Sequence, residues 1–146
     1  MSKLTLADAI SDFGKAAKAA LKNPAITGQP EDQLRTPLVN LFAALTEISG
    51  KSADSVSLVG ETTLAGMQTR PDFAVTVGPG QGKALVGFIE VKAPHKGYDP
   101  RKFTNEHDKA QWSKLKALPN LLYTNGNGFS LWRNGELQGV PACASR

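Results

Sequence analysis

The chain has 146 residues, a length that suits one domain and can bury a hydrophobic core. Its content of 40% apolar and 21% charged residues is ordinary for a globular protein, and its net charge of +4 allows a polyanionic partner without demanding one. Cys143, the single cysteine, excludes an internal disulfide, and no apolar run approaches the roughly 20 residues of a membrane span. Asp8 and Asp12 stand where an export signal needs apolar residues, so we expect a cytoplasmic protein.

Two helices are predicted in the first 50 residues. Apolar residues recur at helical spacing over about residues 6–21, and Thr5 with Asp8 resembles a capping box at the start of this helix. A second helix is predicted to begin near Pro30, a residue favoured in a first turn, and to end at Gly50.

Three strand-like segments follow. Each is rich in apolar or β-branched residues and is bounded by turn-forming residues. They span about residues 55–64, 72–77 and 84–91, and a glycine-rich turn at 78–82 separates the second from the third. Residues 94–104 are predicted to form a loop.

The last third of the chain predicts a helix, a short strand and a hairpin. The helix spans about residues 106–117, and the apolar segment 120–124 is short enough for a buried strand. Asn134-Gly135 is a strong hairpin signal between strands at 129–133 and 136–140. The order of elements predicts an α/β domain over residues 1–140 around one central sheet, followed by a loose tail at 141–146.

Three charged side chains stand in strands that otherwise bury apolar residues. Glu90 and Lys92 point to one face of the third strand because side chains alternate along a strand, and Asp72 lies on the face opposite Phe73 in the second strand. If these strands pair, two carboxylates and an ammonium group converge, and the carboxylates form a hard-oxygen site suited to Mg²⁺. The alternative is a solvated cross-strand ion pair. Because Glu90 is the one charge in the run 84–91, a functional role is favoured.

These residues resemble the motif of the PD-(D/E)xK nuclease superfamily. Pro71-Asp72 is followed, 18 residues on, by Glu90-Val91-Lys92. Glu31 opens an upstream helix, as the first acidic residue of that superfamily often does. The segment from Gln111 to Leu115 resembles its Gln-x-x-x-Tyr motif, with Leu115 in place of the tyrosine, so the tyrosine's contribution does not carry over.

A narrower resemblance covers most of the chain. The segments 90–94, 99–100, 111–112 and 118–126 are similar to the N-terminal nuclease domain of single-polypeptide type I (type ISP) restriction-modification enzymes. This resemblance implies a restriction-endonuclease-like fold: an αβββαβ core with a mixed central sheet flanked by helices, here with an extra N-terminal helix and a C-terminal hairpin. It implies a Mg²⁺-dependent DNA endonuclease of bacterial restriction-modification and phage defence, with Mn²⁺ able to substitute. The implied partners are double-stranded DNA, helicase and methyltransferase domains of a longer chain or complex, and a second copy for double-strand cleavage.

The implied metal ligands are four residues. Asp72 and Glu90 would hold the ion, and the Val91 carbonyl could add a third oxygen. Glu31 would act through water. As an early-turn residue, Glu31 is equally explained by a favourable interaction with the helix dipole, and Asp72 by closure of the preceding loop.

Two further residues would act on the reacting groups. Lys92 could orient the attacking water, neutralise the transition state or act as a base, or could simply pair with Glu90. Gln111 could contact the scissile phosphate or the lysine, or could be a half-buried packing residue. Glu61 and His95 are further candidates for facing the site.

Basic residues cluster in the loop after the third strand and on the third helix. Each alone is explained as a solvated surface charge, but together they suit contacts along a nucleic-acid backbone. The candidates for DNA binding are Arg70, Lys96, Arg101, Lys102, Lys109 and Lys114.

Two other functions remain open from the sequence. The same fold could be a catalytically inactive DNA-binding or docking module. It could also be a hydrolase of RNA or of a nucleotide, because the motif recognises the phosphate rather than the sugar.

Overall fold

The computed structural model describes residues 3–22, 30–52, 55–60, 71–78 and 84–143, without the side chains of residues 30, 31 and 140–143. These residues form three α-helices: α1 (Leu6–Lys22), α2 (Pro30–Ile48) and α3 (Glu106–Leu115). They also form six strands: β1 (Val56–Gly60), β2 (Phe73–Val77), β3 (Ala84–Val91), β4 (Leu121–Thr124), β5 (Gly128–Arg133) and β6 (Glu136–Cys143).

The strands form one mixed sheet in the order β1-β2-β3-β4-β5-β6. Neighbouring strands are antiparallel except β3 and β4, which run parallel. A parallel pair needs a crossover connection, and α3 lies in the segment that joins β3 to β4. This crossover places α3 over the sheet beside the end of β3.

One face of the sheet is covered by α1 and α2. Phe73 of β2 and Ile89 of β3 are buried there with Phe13 of α1 and with Leu34 and Leu38 of α2. The helical spacing of the apolar residues in α1 and α2 accounts for this packing, because it gives each helix one apolar stripe to bury.

The opposite face is covered by α3. Leu115 of α3 is buried with Phe88 of β3, Tyr123 of β4, Trp132 of β5 and Phe103 from the preceding loop. Aromatic rings dominate this cluster: the Trp112 ring lies 5.8 Å from that of Tyr123 and 4.9 Å from that of Trp132. Polar groups between β3 and α3 are therefore withdrawn from water.

The predicted fold class is confirmed. The sheet is mixed and flanked by helices, its core follows the order αβββαβ, and the extra N-terminal helix and C-terminal hairpin are present. Thr5 and Asp8 exchange the hydrogen bonds of the predicted capping box, at 3.2 and 3.1 Å. Asn134 and Gly135 have φ of 51° and 84°, the positive values that a tight hairpin turn requires.

Two boundaries differ from the prediction, and a third lies at the limit of the described residues. Residues 94–104 are not a plain loop, because Pro94–Lys96 and Pro100–Lys102 form short 3₁₀ turns, each with a proline in its first turn. Strand β6 extends past residue 140 to Cys143, which pairs with Gly128, so the start of the predicted tail is part of the sheet. Strand β1 ends at Gly60 in the described residues, and the rest of the predicted strand, residues 61–64, lies outside them.

Within the described ranges, none of the helices combines the length and the apolar character needed to cross a bilayer.

Candidate active site

Asp72, Glu90 and Lys92 meet on the α3 face of the sheet. Asp72 immediately precedes β2, and Glu90 lies near the end of β3 with Lys92 just after it. The pairing of Phe73 with Ile89 brings the two strand ends together, so the predicted convergence of Asp72, Glu90 and Lys92 is what the structure shows.

Asp72 and Glu90 are joined through each other's backbone. The Asp72 amide donates to Glu90 Oε1 at 3.2 Å, and the Val91 amide donates to Asp72 Oδ2 at 2.7 Å. These two bonds cross between β2 and β3 and fix both carboxylates on one side of the sheet. Charge-assisted hydrogen bonds of this kind are stronger than neutral ones, so the pair is held in place before any ligand binds.

The Lys92 ammonium group lies among three oxygen acceptors. Its Nζ is 3.3 Å from Glu90 Oε2, 3.0 Å from Asp108 Oδ1 and 2.5 Å from Gln111 Oε1. The number of acceptors matches the three protons that an ammonium group can donate. Only 7% of Lys92 is exposed, and the Phe103 ring lies 5.8 Å from Nζ. Lys92 is thus a buried cation with a complete set of partners inside the protein.

Asp108 is the site residue that the sequence analysis missed. It is 2% exposed and bridges two lysines, because its second oxygen lies 2.9 Å from Lys96 Nζ. The Asn105 side chain caps the start of α3 and accepts from the Asp108 amide at 3.2 Å, which holds this first turn in place. A signal existed: Asp108 lies three residues before Gln111 and seven before Leu115, on the helical face that turns toward the sheet.

The pKa values of the site carboxylates shift in opposite directions. Burial raises the pKa of Glu90, although Lys92, the Asp72 amide and Gln111 oppose the shift. Burial also acts to raise the pKa of Asp108, but the hydrogen bonds and charges of Lys96 and Lys92 outweigh it, so its pKa is lowered. Glu90 therefore has the less favourable environment for a negative charge, and a further cation beside it would be stabilising.

The structure does not place every predicted residue at the site. Glu31 is the second residue of α2, but its side chain lies outside the described part of the chain, as do Glu61 and Arg70. His95 and His107 are exposed. Within the described ranges, no group of three or more His, Cys, Asp or Glu side chains is arranged to hold a metal ion.

The predicted basic residues fall into two groups. Lys96 is paired with Asp108, and Lys109 pairs with Glu106 at 3.3 Å. The Arg101 guanidinium group forms two hydrogen bonds with Asp99 and lies 5.0 Å from the centroid of the Trp132 ring. Lys102 and Lys114 are exposed on the surface. The Arg101 side chain is therefore held by contacts within the protein, whereas the exposed Lys102 and Lys114 are accessible to a ligand.

The loop after β3 is fastened to β4 and β5. The Asn125 amide donates to the Pro94 carbonyl at 2.9 Å, the Ser130 hydroxyl donates to the Tyr98 carbonyl, and Trp132 Nε1 donates to the Ser130 hydroxyl at 2.7 Å. The Tyr98 ring lies against Gly128, where a Cβ atom would collide with it. Lys96 is thereby held at the edge of the site.

Comparisons with known proteins give a likeness of fold. No protein-family model and no curated protein matches the chain. Among solved structures, a chain in the cryo-EM structure of a DrdV–DNA complex matches with a TM-score of 0.63 and 18% identity, over 94% of this chain and 87% of that one. The fold is therefore similar to that of the matched protein over most of this chain.

Proposed function

We propose that this chain is a metal-dependent DNA endonuclease domain that hydrolyses phosphodiester bonds. The observation that carries the proposal is the buried Lys92 ammonium group beside Glu90. Asp72 is hydrogen-bonded to the Val91 amide at the same end of β3. A buried ion pair is costly to maintain for stability alone, and perturbed groups of this kind concentrate at functional sites. The likeness in fold to a protein solved in complex with DNA supports DNA as the substrate.

The donor set suits a small, hard cation such as Mg²⁺. Asp72 and Glu90 provide carboxylate oxygens, the Val91 carbonyl is a third candidate, and Glu31 could contribute through water. The raised pKa of Glu90 fits this assignment, because a buried carboxylate with too little positive charge around it gains from a cation. Mg²⁺, or Mn²⁺ in its place, would supply a nucleophile at neutral pH and neutralise charge on the phosphodiester.

The chain's own residues would orient and stabilise the reacting groups. The Lys92 ammonium group would stabilise the negative charge that grows on the phosphoryl oxygens as water attacks and the P–O bond breaks. Gln111 and Asp108 fix the position of its ammonium group. Lys96, Lys102, Lys109 and Lys114 would contact the phosphate backbone and position the duplex.

A role in bacterial restriction-modification and phage defence follows from the sequence resemblance. In such a setting, helicase and methyltransferase domains of a longer chain or complex would supply recognition and translocation in the cytoplasm. One copy has one site and would nick one strand, so a double-strand break would need a second copy.

Cleavage of supercoiled plasmid tests the proposal. The purified domain is incubated with Mg²⁺ or Mn²⁺ beside Asp72→Ala, Lys92→Ala and, as a control, Lys15→Ala, whose exposed side chain lies on α1, the helix that packs on the opposite face of the sheet. We expect nicking by the parent and by Lys15→Ala, and none by the two site variants or in EDTA.

Two results would count against the proposal. Nicking that survives both site substitutions places the chemistry elsewhere. A folded parent that binds metal and DNA without cleaving favours the inactive DNA-binding module, for which the complete set of partners around Lys92 would be the physical reason.

A further inference from the structure

Tyr123 carries a buried hydroxyl group that the proposed chemistry does not use. It is fully buried, and its hydroxyl group has no hydrogen-bond partner among the described residues. A buried, unsatisfied hydroxyl destabilises the folded protein. Phenylalanine would fill the same place in this aromatic cluster without an unsatisfied hydroxyl, so we expect the hydroxyl group of Tyr123 to have a function.

The position of Tyr123 connects it to Glu90. The two residues are direct partners in the parallel pairing of β3 and β4, so their side chains stand next to each other on the α3 face. Phe103 and Trp112 pack edge-on against the Tyr123 ring, with ring centroids 5.7 and 5.8 Å away, which holds the ring in place. Burial and the negative charges of Glu90, Asp108 and Asp72 raise the pKa of Tyr123, so the group remains a neutral hydrogen-bond donor.

Lys92 has to release an acceptor before it can serve a substrate. Its three contacts, with Glu90, Asp108 and Gln111, match the number of its protons, and the contact with Glu90 Oε2, at 3.3 Å, is the longest. Exchange of that contact for a phosphate oxygen would leave Glu90 buried with one donor fewer. The neighbouring hydroxyl of Tyr123 is the donor that can replace it.

We propose that Tyr123 is a positioning residue that takes over the hydrogen bond to Glu90 when Lys92 turns to the substrate. This inference rests on the proposed function and adds to it a two-state exchange within the site. In the free protein, Lys92 donates to Glu90 and the tyrosine hydroxyl is unsatisfied. In the DNA-bound protein, Tyr123 donates to Glu90 and the lysine is available to the phosphate.

Stability of the free protein gives the first test. Tyr123→Phe removes the unsatisfied hydroxyl and nothing else, so its Tm should rise by about 3 °C without DNA or metal. Tyr98→Phe is the matched control, since Tyr98 is the other tyrosine of the chain and its contact to Ser130 uses the backbone carbonyl. A lower Tm for Tyr123→Phe would show that the hydroxyl has a structural partner and would overturn the proposal.

Carbon-13 NMR of the phenolic carbon gives the second test, independent of turnover. The chain has two tyrosines, so protein labelled with ¹³Cζ-tyrosine shows two signals, and Tyr98→Phe assigns them. A short DNA duplex added without metal should shift the Tyr123 signal as its hydroxyl gains an acceptor. Binding of the duplex, followed by fluorescence anisotropy, without a shift at Tyr123 overturns the inference and leaves the proposed function standing. No binding at all overturns both.

Kinetics complete the test. The loss of one hydrogen bond to a charged group predicts a fall of about tenfold in kcat for Tyr123→Phe, with KM for DNA unchanged. Tyr98→Phe should retain the kcat of the parent. A Tyr123→Phe variant with the parent's kcat, or with a raised KM and unchanged kcat, would overturn the exchange.

Discussion

The buried Lys92 ammonium group links the stability of the site to the chemistry proposed for it. Its two carboxylate partners differ in role: Glu90 lies against Asp72 at the proposed metal position, whereas Asp108 faces Lys92 and Lys96 from α3. Removing a charge from a buried pair leaves its partner uncompensated, which costs far more than breaking an exposed pair. The site can therefore be weakened through Asp108 without touching a proposed metal ligand.

Asp108→Asn should lower the free energy of unfolding by about 2 kcal/mol at neutral pH, because Lys92 and Lys96 both lose a charged acceptor. Urea denaturation followed by circular dichroism measures this. Glu106→Gln is the matched control, since Glu106 is also in the first turn of α3 and paired with a lysine, but its side chain is 90% exposed. A similar loss of unfolding free energy in both variants would contradict the expectation that the buried Asp108 contributes more to stability than the exposed Glu106.

The difference in unfolding free energy between the parent and Asp108→Asn should change with pH in one direction. The folded-state pKa of Asp108 is lowered from its ordinary value of 3.8, chiefly by hydrogen bonds from Lys96 and Lys92 that outweigh burial. Its contribution to stability is thus fully present above pH 3.8 and is lost as the pH falls through the lower, folded-state pKa. The gap in unfolding free energy between the parent and Asp108→Asn should narrow in acid. A gap that widens below pH 3.8 would contradict the lowered pKa.

Among the elements, α3 connects the sheet to the site, and its first turn depends on one cap. Asn105 accepts hydrogen bonds from the His107 and Asp108 amides at 2.8 and 3.2 Å. Asn105→Ala should cost about 1 kcal/mol of stability and lower nicking activity, because the turn that carries Asp108 loosens. Asn105→Ser keeps a capping oxygen and should retain both properties. Equal losses of stability and activity in the two variants, measured by urea denaturation and plasmid nicking, would count against the cap.

Elements with local signals were predictable, and those that depend on docking were not. The capping box of Thr5 and Asp8 and the Asn134-Gly135 turn are each specified within a few residues, so the sequence identifies them. The partnership of Lys92 with Asp108 joins residues 16 positions apart through the docking of α3, which no periodicity in the chain specifies. For the same reason, the sequence predicts Gln111 near the sheet but does not show that its oxygen contacts Lys92.

The molecule as a whole has two different faces. Helices α1 and α2 cover one side of the sheet, and α3 with the 3₁₀ turns covers the side that carries the site. Exposed lysines occur on both sides: Lys15 and Lys18 on α1, and Lys102 and Lys109 near the site. Net charge alone would attract DNA to either face, whereas the proposed chemistry requires the duplex to lie on the α3 side.

The salt dependence of DNA binding distinguishes these possibilities. Each phosphate contact to duplex DNA contributes about 0.9 to the slope of log K against log salt concentration. The double variant Lys102→Gln/Lys109→Gln should reduce that slope by about 2, measured by fluorescence anisotropy over a range of salt concentrations.

The charge-matched variant Lys15→Gln/Lys18→Gln removes the same two charges from the opposite face. Because counterions are released only where lysines contact phosphates, this variant should keep the slope of the parent. Equal reductions in both double variants would mean that the protein attracts DNA through its overall charge. A loss confined to Lys15→Gln/Lys18→Gln would place the duplex on α1, on the far side of the sheet from Lys92, where it could not be the substrate of the proposed site.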